Sequence, residues 1–121
     1  MTVSECYARV KGDYLEALGR FKSDSMIAKF IMLYTQDTSL DDLKTAFYAQ
    51  DYEKAFAAAH TLKGVLRNMA FNDYAMTVSE ITEYLRDGKN IPAAIEIFPI
   101  VVSKAQDTLD VVDAFVKERE G

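Results

Sequence analysis

Apolar residues recur at intervals of three and four along most of this chain, which is the spacing of an α-helix with one buried face. Four long segments show this pattern, and short polar stretches join them. Short joints favour antiparallel neighbours, so the pattern predicts an all-α fold, an up-down-up-down antiparallel four-helix bundle. Two shorter helices, over about residues 3–10 and from Asp13 to about residue 21, are expected to form a lid over one end of the bundle.

Residues with capping chemistry predict where the helices begin. They are Thr2 with Glu5 as a capping box, Asp13, Ser23–Ser25, Ser39, Asp51, Asn72–Asp73 and Asn90. The polar stretch 35–38 predicts either one bent helix or two nearly collinear ones. Gly88 suits a left-handed end for the helix that begins after residue 72.

The buried stripes of the last two long helices follow from the same spacing. Pro99 lies inside the last stripe and is expected to kink that helix or to divide it. The first stripe comprises Tyr74, Met76 (or Ala75), Val78, Ile81 and Leu85, and the second Ile95, Phe98, Val102, Ala105, Leu109, Val112 and Val116. Residues 117–121 are expected to be a solvated, frayed end.

The predicted helix 52–69 carries the only histidine, His60. A helical wheel places His60 roughly 140° from the centre of the core stripe, which comprises Ala55, Ala59, Leu62, Leu66 and Met69. Lys63, Gly64 and Arg67 follow at the spacings that share its face, with Ala57 and Phe56 on the other side. The histidine is therefore expected to face outward among cations and small residues.

This arrangement suits a nucleophile that accepts a phosphoryl group. Imidazole is partly uncharged near neutral pH, so it attacks without an added base. Lys63 and Arg67 are placed to neutralise phosphate oxygens. Gly64 costs up to about 1 kcal/mol in a helix interior, which makes sense if a partner must approach the imidazole. A lone histidine on a polar helix face is nevertheless most often an ordinary surface residue.

Composition and charge narrow the function further. The 121 residues fit one domain, 1–121, and the net charge of −5 argues against nucleic-acid binding. No apolar run is long enough to span a membrane, and no signal peptide precedes the first helix, so a cytoplasmic location is expected. One histidine and one cysteine form no His/Cys metal cluster, which leaves a carboxylate site for a hard cation open.

The segment Ala59–Gly64, followed by Asn68 and Met69, resembles the His-x-Leu-Lys-Gly-x-x-x-Asn-Leu signature of histidine phosphotransfer (HPt) domains. Residues 51–53 are similar to the lead-in of that family, and residues 85–88 to its Arg-x-Gly-Asp helix end. The resemblance implies a four-helix-bundle relay protein of two-component phosphorelays, with short N-terminal helices.

The resemblance also implies roles. His60 would accept a phosphoryl group from a receiver-domain aspartate, or from a sensor (hybrid) histidine kinase relay, and pass it to a response regulator. Lys63 would stabilise the phosphate and Gly64 would provide access. Phe56, Ala57 and Phe71 are expected to form an apolar docking patch. The resemblance further implies that the chain needs no cofactor of its own, since the family's magnesium belongs to the receiver. The sequence itself has no Gly-rich nucleotide-binding loop, and a monomer is expected.

Some positions depart from the family pattern. Ala70 stands where many members have Gly, and Val65, Leu66 and Arg67 replace a run of small residues, so a phosphate role for Arg67 is a hypothesis from this chain alone. Thr82 lies where some members place a partner of the imidazole, with Glu83 and Ser79 as other candidates. The alternative function is a non-catalytic scaffold or inhibitory protein that binds receiver or kinase domains with His60 unphosphorylated.

Overall fold

The computed structural model describes residues 1–120, which form seven α-helices, a short 3₁₀ turn at Arg86–Gly88 and no strand. Gly121, the last residue of the predicted frayed end, lies outside the described residues. The chain is therefore all-helical over the part described. The helices are α1 (Val3–Arg9), α2 (Tyr14–Phe21), α3 (Asp24–Tyr34), α4 (Ser39–Tyr48), α5 (Tyr52–Met69), α6 (Asn72–Leu85) and α7 (Ile91–Glu120).

Side-chain caps start most of the helices where the sequence predicts them. Thr2 accepts from the Glu5 amide in a complete capping box, and the side chains of Asp13, Ser23 and Asp51 each accept from an amide of the first turn. Asn90 accepts in the same way from the amide of residue 93. These five starts confirm the predicted caps.

Helix α6 departs from its predicted start. Its N-cap is Phe71, which makes no side-chain cap hydrogen bond, so the prediction that Asn72 or Asp73 caps it is wrong. The carbonyl of Phe71 already accepts the first helical bond, which makes Asn72 the first helical residue. Helix α6 also ends earlier than expected, because a 3₁₀ turn follows Leu85 before Gly88 adopts the predicted left-handed conformation, with φ of 66°.

The stretch between α3 and α4 yields two helices and not one bent helix. Thr35 ends α3, and Thr38 precedes α4 without a side-chain cap bond. The carboxylate of Asp37 instead accepts from the amide and hydroxyl of Ser39. The sequence allowed either one bent helix or two nearly collinear helices. The structure has two separate helices, and the hydrogen bonds to Asp37 form at the start of the second one.

Helix α5 lies between α4 and α6, and α6 packs in turn against α7. Each of these neighbours follows a short connection, and α3 also contacts α5 and α7. At one end of the core the rings of Phe47 and Phe98 stack, with their centroids 4.0 Å apart. The core therefore joins α4 to α7 as well as to its neighbours in sequence.

The buried stripes of α6 and α7 are partly as predicted. Ala75 is buried and Met76 is 64% exposed, so the core position is Ala75. In α7, Ile95 is exposed and Ala94 is buried in its place. The helix runs through Pro99 undivided. The buried residues of α7 are Ala94, Phe98, Val101, Ala105, Thr108, Val112 and Phe115.

The N-terminal helices are bonded to the C-terminal end of α5. The hydroxyl of Tyr7 donates to the carbonyl of Met69 at 2.7 Å, and the amide of Asp13 donates to the carbonyl of Ala70 at 2.9 Å. A Cβ at Gly12 would lie 2.6 Å from the same Ala70 carbonyl, so only glycine permits this close approach. The carbonyls of Met69 and Ala70, which the end of α5 leaves without a helical partner, thus accept hydrogen bonds from α1 and from the residue that caps α2.

Among the described residues, no helix is long and apolar enough to cross a membrane.

Candidate functional site

Helix α5 presents His60 midway along its 18 residues. The residues predicted to face the core, Ala55, Ala59, Leu62, Leu66 and Met69, are all buried, and the imidazole is exposed on the other side. Within residues 1–120, no side-chain hydrogen bond or ion pair involves His60. The ring is therefore accessible, and neither nitrogen is held by a neighbouring side chain.

One face of the site is built from stacked planar groups. The ring of Phe56, one turn earlier on α5, lies 6.0 Å from the imidazole between centroids, with 18° between the planes. The guanidinium carbon of Arg86 lies 4.8 Å from the centroid of Phe56. The geometry thus brings a cation from the 3₁₀ turn to the phenyl ring that borders His60. Sequence reasoning did not single out Arg86, although the segment 85–88 was noted for its likeness to a family motif.

Lys63 is partly exposed, one turn beyond His60 on α5. No carboxylate within residues 1–120 forms an ion pair with its ammonium. Its charge is felt on α6, where the pKa of Glu83 is lowered first by the hydrogen bonds from Arg86 and then by other cations, Lys63 among them. Lys63 is therefore a cation near His60 that is available to an incoming anion.

Gly64 faces open space. An added Cβ there would meet no atom within 4 Å, and its backbone has no positive φ. A close contact between helices and a left-handed turn, the two usual reasons for glycine in a structure, are therefore both absent at this position. Because Gly64 has no side chain, the surface of α5 one turn from the imidazole is open.

Arg67 and Thr82 have partners other than His60. The guanidinium of Arg67 donates to the hydroxyl of Ser79 at 3.3 Å, across the α5–α6 interface. Thr82 is fully buried, and its hydroxyl donates to the carbonyl of Val78 at 2.6 Å. The expectation that Thr82 could hydrogen-bond the imidazole is therefore wrong here, because its side chain is fully buried inside the bundle and the imidazole is exposed. Ser79 and Glu83, the other candidates, likewise bond to arginines.

The predicted docking patch is only partly on the surface. Ala57 is exposed and Phe56 is half-buried beside His60. Phe71 has no exposed surface, because its ring packs against Tyr7 and Tyr34, with centroids 5.4 and 5.3 Å apart. The prediction that Phe71 lies in an exposed patch is wrong, since Tyr7 of α1 and Tyr34 of α3 cover it, and the sequence did not show that these two helices meet at Phe71.

Two shallow cavities lie beside the site. One of about 360 Å³ is bordered by Phe56 and Tyr52 of α5 and by Leu85 and Gly88. The other, of about 330 Å³, lies between Arg67 and α6. A larger cavity of about 420 Å³ between α1, α6 and α7 shares no lining residue with either. His60 lines neither of the two nearby cavities and stands on open surface between them, where another protein can reach it.

The position that departs from the family pattern at the end of α5 has a visible backbone role. Ala70 adopts the left-handed conformation that ends the helix, with φ of 59° and ψ of 34°. Glycine adopts this conformation without strain, which explains why glycine is common at such a helix end. The departure at Ala70 therefore concerns the helix end and lies away from the imidazole.

Comparison with known families agrees with this geometry. The family model described as the Hpt domain matches residues 31–115, well over half of the chain. The match begins within α3 and ends within α7, so it includes His60 and excludes α1 and α2. No curated protein and no solved structure gives a match. An exposed, unbonded histidine in the middle of a helical domain fits the chemistry of that family, and the chain belongs to the Hpt domain family, the histidine phosphotransfer modules of two-component phosphorelays.

Proposed function

We propose that His60 is the phosphoacceptor of a phosphorelay intermediate. It takes a phosphoryl group from the aspartyl phosphate of a receiver domain, or from a sensor (hybrid) histidine kinase relay, and passes it to the aspartate of a response regulator. The single observation that carries this proposal is the exposed imidazole, free of side-chain hydrogen bonds and with Lys63 one turn away. The match to the Hpt domain family supports it.

The transfer is a balanced exchange of one bond for another. The lone pair of an unprotonated imidazole nitrogen attacks phosphorus, and a P–N bond forms while the P–O bond to the aspartate breaks. The bonding electrons leave with the aspartate carboxylate. The reverse step regenerates the aspartyl phosphate on a second receiver. Alignment and charge neutralisation supply most of the catalysis in such transfers, and here Lys63 would neutralise the phosphoryl oxygens.

Access for the receiver would come from small and apolar surface. Gly64 and Ala57 leave the helix low on either side of His60, and Phe56 offers a half-buried apolar edge. Transient signalling partners typically bury modest areas, which a shallow surface of this kind can supply. We assign the docking role to Phe56 and Ala57 and withdraw it from Phe71.

The remaining features follow from the same proposal. The chain carries no Gly-rich nucleotide loop, so the phosphoryl group would come from a partner. Magnesium would be supplied by the receiver. We propose one domain over residues 1–121, working as a monomer on an up-down-up-down four-helix scaffold, which the packing of α5 between α4 and α6 and of α6 on α7 supports. The cytoplasmic location stays a prediction.

The proposal is tested by incubating the protein with a radiolabelled phospho-receiver and magnesium. We expect an acid-labile, base-stable label on the wild-type chain and none on His60→Gln, whose fold should be unaffected because the side chain is exposed. If no receiver transfers label to the wild type while phosphoramidate, a small donor, also fails, His60 is not a phosphoacceptor and the scaffold alternative is favoured.

The role of Lys63 has a matched control on the same helix. Lys63→Ala should slow transfer by about tenfold to a hundredfold, less than the hundredfold to thousandfold loss seen for a donor in a water-excluded oxyanion hole, because Lys63 is partly exposed. Lys54→Ala removes an exposed cation near the start of α5, where it faces Asp51 at 3.9 Å, and should leave the rate unchanged. Equal effects of the two variants would show that only the overall charge matters.

A further inference from the structure

A carboxylate holds the cation that lies over Phe56, the ring beside His60. Glu83, in the last turn of α6, accepts two hydrogen bonds from Arg86, from Nε at 3.2 Å and from Nη2 at 3.1 Å. The fork-shaped guanidinium is thus held by both oxygens of one carboxylate. Arg86 is the same residue whose guanidinium lies over Phe56, and Phe56 stacks beside His60.

Glu83 also interacts electrostatically with Lys63, the cation one turn from His60. The pKa of its carboxyl is lowered first by the hydrogen bonds from Arg86, and Lys63 lowers it further. Both positive groups near the imidazole therefore interact with one negative charge in the unphosphorylated protein. Phosphorylation of His60 would bring a group of nearly two negative charges to the imidazole, beside the phenyl ring over which Arg86 lies.

We propose that Glu83 is a positioning residue that sets how strongly His60 retains its phosphoryl group. The inference rests on the proposed function of His60. The carboxylate repels a phosphoryl group on the imidazole, and it competes with that group for Arg86 and Lys63. Both effects raise the free energy of the phosphorylated state relative to the unphosphorylated state. Glu83 therefore keeps the phosphoryl group easy to pass on, as a relay intermediate requires.

Removal of the charge should act in one direction. In Glu83→Gln the repulsion disappears, and Arg86 becomes free to turn towards the phosphoryl oxygens. Both changes lower the free energy of the phosphorylated state relative to the unphosphorylated state. Glu80→Gln is the matched control, because Glu80 is an exposed carboxylate one turn earlier on α6 and forms no ion pair within residues 1–120. Each variant changes the net charge by the same amount.

The experiment is a competition for one pool of phosphoryl groups. Wild-type protein is first phosphorylated with phosphoramidate and freed of this donor. It is then mixed with an equal amount of one isotope-labelled variant, a trace of receiver and magnesium, so that reversible transfer distributes the phosphoryl groups between the two chains. At equilibrium the receiver acts only as a catalyst, and its affinity for either chain cancels. Intact mass spectrometry then gives the phosphorylated fraction of each chain.

We expect Glu83→Gln to hold about threefold to fivefold more phosphoryl group than the wild type, the size of effect that one exposed charge exerts on another at a protein surface. Glu80→Gln should match the wild type. The difference for Glu83→Gln should shrink at high ionic strength, because exposed charges are screened. A merely structural role would show instead as a change in thermal unfolding, without salt-dependent partition.

The outcomes separate this inference from the proposed function. If the wild type is phosphorylated on His60 and Glu83→Gln shares the label equally with it, or holds less, the role of Glu83 is refuted and the relay function stands. An equal gain in Glu80→Gln also refutes it, since overall charge would then explain the shift. If the wild type takes no label from the receiver or from phosphoramidate, the relay function itself fails, and the inference fails with it.

Discussion

Gly64 offers a substitution whose effects on stability and on transfer should have opposite signs. Gly64→Ala adds one methyl group that meets no atom within 4 Å, in a helix interior with ordinary backbone angles. Alanine is favoured over glycine there by about 1 kcal/mol, chiefly because the unfolded chain has less freedom to lose. For a domain of this size, the gain corresponds to a rise in Tm of about 4 °C.

The same methyl group should hinder a receiver. It would stand one turn from the imidazole on the face that the receiver must approach, and small misplacements of reacting groups can cost up to about a hundredfold in rate. We expect kcat/KM for transfer from a phospho-receiver to fall by about tenfold, and further in Gly64→Gln. Phosphorylation by phosphoramidate should change less than twofold, because a small donor does not need the cleared surface.

A matched control is available in α2. Gly19 also lies in a helix, and an added Cβ there meets no atom within 4 Å, so Gly19→Ala should stabilise the protein without slowing transfer. The assays are urea unfolding and stopped-flow transfer with both donors. The reasoning is refuted if Gly64→Ala transfers from the receiver at the wild-type rate, or if it slows both donors equally, since neither result is compatible with a role in access alone.

Four further predictions concern the core and its edge. Phe71→Ala should lower the free energy of unfolding by about 3–5 kcal/mol, whereas Phe56→Ala should cost about 1 kcal/mol and slow transfer; urea unfolding that ranks them the other way would contradict their placement. Tyr7→Phe should cost about 1–3 kcal/mol, because it leaves a buried carbonyl at the end of α5 without its donor. Tyr74→Phe should cost less than about 0.5 kcal/mol, since its buried hydroxyl forms no hydrogen bond within residues 1–120, and a loss as large as that of Tyr7→Phe would contradict this. Burial raises the pKa of the Cys6 thiol to about 11 from the usual 9, so the unfolded state loses its proton first and stability should fall as pH rises from 9 towards 11. Denaturation at several pH values should show a smaller fall in Cys6→Ala, and an identical pH profile would count against the shift.

The helices could be predicted from sequence where one local signal dominates. Asp51 caps α5 and the spacing of its apolar residues gives the buried face, so both the bounds of α5 and the outward position of His60 follow from residues close in sequence. The start of α6 could not be found this way. Asn72 and Asp73 have side chains that suit either a cap or the first turn of a helix, and the structure places them in the first turn.

The site was harder to predict because its composition depends on contacts that are distant in sequence. The sequence near Phe71 is compatible with an exposed patch, but α1 and α3 bring Tyr7 and Tyr34 against its ring. Arg86 lies 26 residues after His60 and reaches the site only because the 3₁₀ turn folds back over Phe56. Helical spacing describes one helix at a time and carries no information about such encounters.

The central claim is most directly tested by locating the phosphoryl group. The protein is incubated with a phospho-receiver and magnesium, digested at alkaline pH and sequenced by tandem mass spectrometry. The account predicts one phosphate on the α5 peptide, attached to the ring of His60, and its loss after brief acid treatment. Phosphate on a hydroxyl or carboxylate side chain, or a receiver that loses its phosphate at the same rate with and without the protein, would contradict it.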